Sequence, residues 1–400
     1  MMKRSELAIH GGKPVRDSFL VFGSPLIAED EIEEVIATLR SGWIGTGPRV
    51  AQFETDFKHY LEAPHAVALN SCTAALHLSL LAAALKPGDE VITTAMTFCA
   101  TANAIIHSGA TPVFADCDRR DSNILVADIR RKITPRTRAI LPVHFAGRPC
   151  DMQAIMALAR EHRLRVIEDC AHAIETTIGG QHAGTFGDFG CFSFYVTKNV
   201  VTGEGGMVVA RSELDSDRIK ILGLHGMSRD AWKRFSDEGY KHYRVIAPGF
   251  KYNMMDLQAA LGLRQLEKVE AHWQRRATIW GRYDEAFRSW PCLTPPVPAD
   301  GTRHAFHLYT LHLDLERLSA TRDDVLNALT KENIGAGVHY QALHLHPYYA
   351  DTFGLKPGDF PNAEFISERT ISLPLSPKLT DADVETVVKA VHKVLEAYLK

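Results

Sequence analysis

Residues 65 to 94 read HAVALNSCTAALHLSLLAAALKPGDEVITT. Two short β-favouring runs, HAVALN at 65–70 and EVITT at 90–94, enclose a helical stretch, CTAALHLSLLAAAL, at 72–85. The runs are apolar along most of their length, as in strands covered on both faces of a largely parallel sheet. The pattern repeats outward. FCATANAIIHSG (98–109) leads to TPVFAD (111–116) and a polar connection; TRAILPVHF (137–145) precedes DMQAIMALAREH (151–162), and LRVIEDC (164–170) precedes a loop. Strands alternating with helices predict an α/β layered domain.

A long helical pattern, DLQAALGLRQLEKVEAHWQRRATIWGRYDEAF, fills 256–287 and ends in the proline cluster Pro291, Pro295, Pro296 and Pro298. Beyond it, HLYTLHLDL (307–315) and GAGVHY (335–340) read as strands, and RDDVLNALTKE (322–332) and DADVETVVKAVHKVLEAYL (381–399) as helices. We expect a large unit over 1–265, with the N-terminal arm, and a smaller α+β unit over 266–400. Four hundred residues give ample core for this.

With 45 basic and 48 acidic side chains the charge is near balance, so no nucleic-acid surface is advertised. Seven scattered cysteines without a CxxC pair argue against a disulfide framework or zinc knuckle and fit a reducing compartment. The N-terminus MMKRSELAIHGG has no apolar core behind its charges, and no segment is long enough to span a bilayer. The expected location is cytoplasmic, without a membrane partner.

Residues 191–206, CFSFYVTKNVVTGEGG, place Lys198 between an apolar run and a glycine-rich turn. Either its stem crosses an apolar wall to water, or its amine sits in a dry site where a lowered pKa frees the lone pair for a carbonyl. Open α/β sheets collect ligands at the carboxyl ends of strands. There the chain offers Asn70-Ser71-Cys72-Thr73 leading into a helix, a phosphate cradle or an ordinary cap. It offers Phe98, a stacking ring or plain core, and Asp169 with His172 three residues on. Asp169 is either a cap or the partner of a buried cation. A phosphate cradle, a flat ring, an acid for a ring nitrogen and a lysine amine, with Ser193 nearby, are the parts that hold pyridoxal phosphate.

VIEDCAHAIETTIGGQHAGTFGDFGCFSFYVTKNVVTGEGG (166–206), with SGWIGTGP (41–48), NSCTAALHLSL (70–80), PGDEVITTAMTFCATANAI (87–105) and GFKYNMMDLQAALGL (249–263), resembles the DegT/DnrJ/EryC1/StrS family. These are pyridoxal phosphate-dependent nucleotide-sugar aminotransferases of fold type I, the aspartate aminotransferase fold. The likeness runs from about Gly42 to the C-terminus. DAWKR (230–234), VIAPGFKYNMMD (245–256) and GAGVHYQALH (335–344) are closest to the branch forming UDP-4-amino-4-deoxy-arabinose and other C4-aminated sugars.

The resemblance implies that Lys198 is the Schiff-base lysine, that Asp169 pairs with the pyridine nitrogen and that His172 stands near the ring hydroxyl. It implies phosphate contacts from Cys72, Thr73 and Ser193 and stacking by Phe98. Asn253 would reach the phosphate of a neighbouring subunit, making a homodimer with shared sites. The implied substrates are a nucleotide-diphosphate keto sugar and glutamate or glutamine as amino donor. Arg229, with Lys233 and Arg234, is a candidate diphosphate clamp, and His339 and Tyr340 are candidate substrate contacts. Cys72 stands where glycine is common, and SFYVTKN replaces the commoner SFHPTKN. His339, His344 and His346 fit no strong metal motif, and no metal is expected. A keto-cyclitol acceptor, or a cofactor-binding regulator without turnover, are the alternative readings.

Overall fold

The computed structural model describes residues 4–228 and 243–400. The candidates Arg229, Lys233 and Arg234 lie outside the described residues.

Along the chain come α1 (Glu29–Ser41), α2 (Pro48–Tyr60), β1 (His65–Leu69), α3 (Cys72–Ala82), β2 (Glu90–Thr94), α4 (Cys99–His107) and β3 (Thr111–Ala115). Next are α5 (Val126–Lys132), β4 (Thr137–Leu141), α6 (Met152–His162) and β5 (Arg165–Asp169). A small excursion, β6 (Thr177–Ile178) and β7 (Gln181–His182), precedes β8 (Phe189–Ser193), β9 (Gly206–Ala210) and α7 (Glu213–Gly223). The seven-stranded sheet has the order β1-β9-β8-β5-β4-β2-β3. β9 is antiparallel to both neighbours, and the remaining pairs are parallel.

Alternation along the strands divides the core. Val91, Leu141, Ile167 and Val208 face α3 and α4, while Ile92, Ile140 and Val166 face α6. Ala66, Ala68 and Val209 pack with Phe53 and Phe57 of α2, whose rings meet Phe192 and Phe194 edge-on or tilted. Both faces of the sheet are therefore covered, which is why its strands read as continuous apolar runs.

The long helical pattern is broken into α8 (Asp256–Glu267) and α9 (Val269–Phe287). Lys268 at the junction ties to Asp30 and Glu31 of α1. β10 (Cys292–Leu293), β12 (Tyr309–Leu313) and β13 (Thr370–Leu373) form a three-stranded sheet, and β11 (Thr302–Arg303) pairs with β6. The small sheet shares a core with Ile279, Trp280 and Tyr283 of α9, with α10 (Arg322–Lys331) and with the terminal helix Asp381–Ala397.

Three readings need correction. The polar connection after residue 116 contains α5, a helix too short for a periodic stripe to show. GAGVHY is no strand; Gly337 alone bridges to Ser372. The N-terminal arm packs on the smaller unit: Leu7 lies in its core, and the N–H groups of Ala8 and Val15 both donate to the buried carboxylate of Glu332 at 2.9 Å. A division near residue 265 is our proposal from these cores.

Asp256, fully buried, opens α8 and also caps α2, accepting from Gly47 N (2.8 Å), Val50 N (3.0 Å) and Arg49 N (3.1 Å). A carboxylate at a helix N-terminus satisfies N–H groups that have no intrahelical partner. Asp256→Asn turns one acceptor into a donor facing those N–H groups. It should cost about 2 kcal/mol and lower the melting temperature by a few degrees. An unchanged melting curve would refute this account of the helix junction.

Candidate active site

Four of the sheet's strands have an end at one edge because of their directions. β1, β5 and β8 end there, and β9, running the other way, begins there. Leu69 of β1 pairs with Gly206 of β9, and Ser193 of β8 pairs with the same glycine. A Cβ on Gly206 would lie 2.4 Å from the carbonyl carbon of Ser71 and 2.5 Å from Cys72 N, so only glycine lets the strand pass the start of α3. Ser71 caps that helix, its hydroxyl oxygen accepting from Ala74 N at 3.1 Å. The first N–H groups of α3 are thus turned toward the sheet edge.

A cavity of about 550 Å³ opens at this edge. It is lined by Ser71, Cys72, Thr73, Phe98, Asp169, His172, Ser193, Lys198, His339 and Tyr340, among others. Nearly all the sequence candidates converge on it. Asn253 does not: it lines a separate cavity of about 710 Å³ with Trp43, Thr46 and Glu54, where its amide donates to the Thr46 hydroxyl at 2.6 Å.

Asp169 ends β5 and is buried. Its Oδ2 accepts from the Thr101 hydroxyl (2.9 Å) and its Oδ1 from Ala171 N (3.1 Å). Burial pushes its pKa up; those two donors and the Lys198 charge oppose the rise. Lys198 lies beyond the tight turn in which its own N–H donates to Tyr195 O. Burial lowers its amine from 10.5 to about 8, against the pull of Cys72 and Asp169. Burial, then the lysine's charge, also holds His172 well below its ordinary pKa and His339 down to about 4. His339 Nδ1 lies 2.8 Å from the Ser372 hydroxyl.

His344 pairs instead with Glu364 at 2.8 Å, so these histidines have separate partners. Among the described residues, His144, Glu168 and Cys170 bring candidate metal-ligand atoms within 4.8 Å of one another. His144 Nδ1, however, already accepts from Cys150 N, and Glu168 accepts from Gly184 N and Gly187 N as well as meeting His144 Nε2.

Sequence reading missed Thr101, one hydroxyl in a run of small residues, and a buried network behind the lysine. The amide of Asn199 donates to Glu175 Oε2 (2.8 Å) and Ala305 O (3.0 Å) and accepts from His307 Nδ1 (3.0 Å). Glu175 forms a buried ion pair with Arg276. Glu175 and Arg276 lie a hundred residues apart, and no local pattern links them.

The donor set fits pyridoxal phosphate: a helix end for an anion, a buried acid for a ring nitrogen and a buried amine for an aldehyde.

The model of the DegT/DnrJ/EryC1/StrS aminotransferase family matches residues 25–392. The spore coat polysaccharide biosynthesis protein SpsC of Bacillus subtilis is 50% identical over 382 residues, which cover 95% of this chain and 98% of that protein. The pyridoxal phosphate form of the putative sugar aminotransferase Spr1654 of Streptococcus pneumoniae superposes with a TM-score of 0.88 at 33% identity, covering 96% of this chain and all of that one. Helicobacter pylori PseC, an aminotransferase of pseudoaminic acid biosynthesis, gives 0.88 at 30% identity over 96% of this chain and all of its own. The expected fold type I architecture is borne out. No described helix is long and apolar enough to cross a membrane.

In cofactor-free protein, acetylation of Lys198 followed by peptide mass spectrometry should be half-maximal near pH 8, because the amine reacts only when neutral and burial favours that form. A midpoint at the ordinary 10.5 would contradict the dry-amine description.

Proposed function

This chain belongs to the DegT/DnrJ/EryC1/StrS aminotransferase family, and we propose that it moves an amino group from glutamate or glutamine to a keto carbon, C4, of a nucleotide-diphosphate deoxy sugar, with pyridoxal 5'-phosphate as cofactor. The observation that carries the reading is one cavity uniting the lowered Lys198 amine, the buried Asp169 carboxylate and the start of α3. The roles that the names of SpsC and PseC give those relatives, in polysaccharide and pseudoaminic acid biosynthesis, support a sugar substrate.

When bound, pyridoxal phosphate supplies an aldehyde carbon and a ring that takes up an electron pair. The N–H groups of Cys72 and Thr73 and the Ser193 hydroxyl would hold the phosphate, and Phe98 would offer its ring to the cofactor. Asp169 keeps the ring nitrogen protonated, as a buried carboxylate with few donors favours. Lys198 would be the acid–base group, taking a proton from the amino donor's carbon in one half-reaction and delivering one to the acceptor's carbon in the other. An amine titrating near 8 takes up and returns a proton more readily around neutrality than one at 10.5. The family resemblance puts His172 by the ring hydroxyl, and Arg229, His339 and Tyr340 by the sugar nucleotide.

The enzyme is a homodimer in which Asn253 completes the partner's phosphate site. Its position outside its own chain's cavity supports this, as do the exposed apolar side chains Trp43, Ile44 and Met255 near it in the sequence or the fold. A C2 arrangement then makes two equivalent shared sites.

Lys198→Ala should abolish the visible absorbance of bound cofactor and lower the rate by at least about 10³-fold. Asn253→Asp sets a carboxylate against the phosphate and should also inactivate. Mixed with subunit exchange, the two variants form hybrids in which one site carries both defects and the other neither. Activity should return to about a quarter of wild type with random exchange. Demonstrated exchange without recovered activity would rule out shared sites.

A further inference from the structure

The hydrogen bonds around His172 fix the polarity of the Tyr340 hydroxyl. The N–H of Ala146 donates to His172 Nδ1 at 3.2 Å, so that nitrogen carries the lone pair. Burial keeps the ring neutral, and its single proton therefore sits on Nε2. Nε2 lies 3.2 Å from the Tyr340 hydroxyl. His172 donates, and the tyrosine oxygen accepts. The phenolic proton is left for another acceptor, and Tyr340 lines the same cavity as Lys198 and Asp169. Its ring is held between Phe98 and Phe145, each at 6.0 Å, and the near-parallel ring of His172 at 6.3 Å.

The chemistry of pyridoxal phosphate identifies the acceptor. Its ring carries the aldehyde between the phosphate arm on one side and a hydroxyl on the other. With the arm at α3, the aldehyde at Lys198 and the ring nitrogen at Asp169, the hydroxyl oxygen needs a donor of its own. His172 has no N–H left, and the Thr101 hydroxyl is spent on Asp169. We infer that Tyr340, oriented by His172, donates the hydrogen bond to the ring hydroxyl oxygen of the cofactor. This rests on the cofactor assignment proposed above, and it moves to Tyr340 a contact that the family resemblance gives to residue 172.

A donor to this oxygen favours its deprotonated form. The groups acting on Tyr340 are His172, Asp169 and Cys99; Lys198, His307 and His339 face His172 in turn. All remain in the Tyr340→Phe protein. With pyridoxal phosphate added, the pH midpoint of the visible absorbance should lie about one unit higher in Tyr340→Phe than in wild type, with affinity about tenfold weaker. With 3-deoxypyridoxal phosphate, which lacks the acceptor, the two proteins should bind equally. A variant with the wild-type melting temperature, midpoint and affinity overturns the inference, as does a tenfold gap that persists with the deoxy analogue. Nitrogen-15 spectra of wild-type protein test the polarity without any variant: a proton on His172 Nδ1 overturns it. Wild-type protein that takes up no pyridoxal phosphate overturns the proposed function itself.

Discussion

Asp169 carries its carboxylate into the protein at the end of β5, with 4% of its surface exposed. A buried carboxylate is costly unless donors or a cation accompany it. Thr101 and Ala171 supply two donors, yet the acid's pKa remains raised, so its charged form is undersupplied with partners. The surrounding structure concentrates the answer to that deficit in one place. β5 and β8 run in parallel with Asp169 opposite Cys191, which sets Ser193 and the turn to Lys198 on the same edge. A protonated ring nitrogen beside the acid would complete its shell, and the lysine amine lines the same space.

Behind the lysine a second polar layer fixes its neighbour. Asn199 uses both amide donors and its oxygen on Glu175, Ala305 and His307, so the residue after Lys198 cannot rotate or shift without breaking several buried bonds. The Glu175–Arg276 pair is almost wholly removed from solvent. Such pairs are weak evidence for stability, since desolvation consumes most of the attraction. Their use here is geometric. Arg276 belongs to α9, whose later turns build the smaller unit's core, so the pair links the lysine turn to that unit.

The sheet was legible because its strands are covered on both faces and interrupted by helices of ordinary length. The candidate cluster was legible where its members sit at a strand end or the start of a helix, as Cys72, Thr73, Asp169 and Ser193 do, while Lys198 was marked by the apolar run and the glycine-rich turn on either side of it. What stayed hidden depends on distance along the chain or on packing. The hydrogen bond between His172 and Tyr340 joins residues 168 apart. The docking of the N-terminal arm on the smaller unit turns on one carboxylate, Glu332, collecting two distant N–H groups. The break at Lys268 is invisible to periodicity, because a helical pattern resumes within one residue.

Charge in the cavity is sparse for a site that must hold anions. His172 and His339 are neutral by burial, and so is His307 behind them. Among the described lining residues Lys198 is the one lysine, no arginine lines the space, and Asp169 and Glu204 are acidic. A cofactor phosphate can be met by the N–H groups at the start of α3, which carry partial positive charge without a cation. That resource serves one phosphate. The nucleotide diphosphate of the proposed substrate would bring further charge, and fork-like arginine contacts suit such a group best. Under that reading the diphosphate's cations are not among the described lining residues, and Arg229, Lys233 and Arg234 are the candidates that the sequence offers. The neutral histidines then have a consistent role. They line or back the site with hydrogen-bonding groups and add no positive charge that would hold the lysine's pKa down still further.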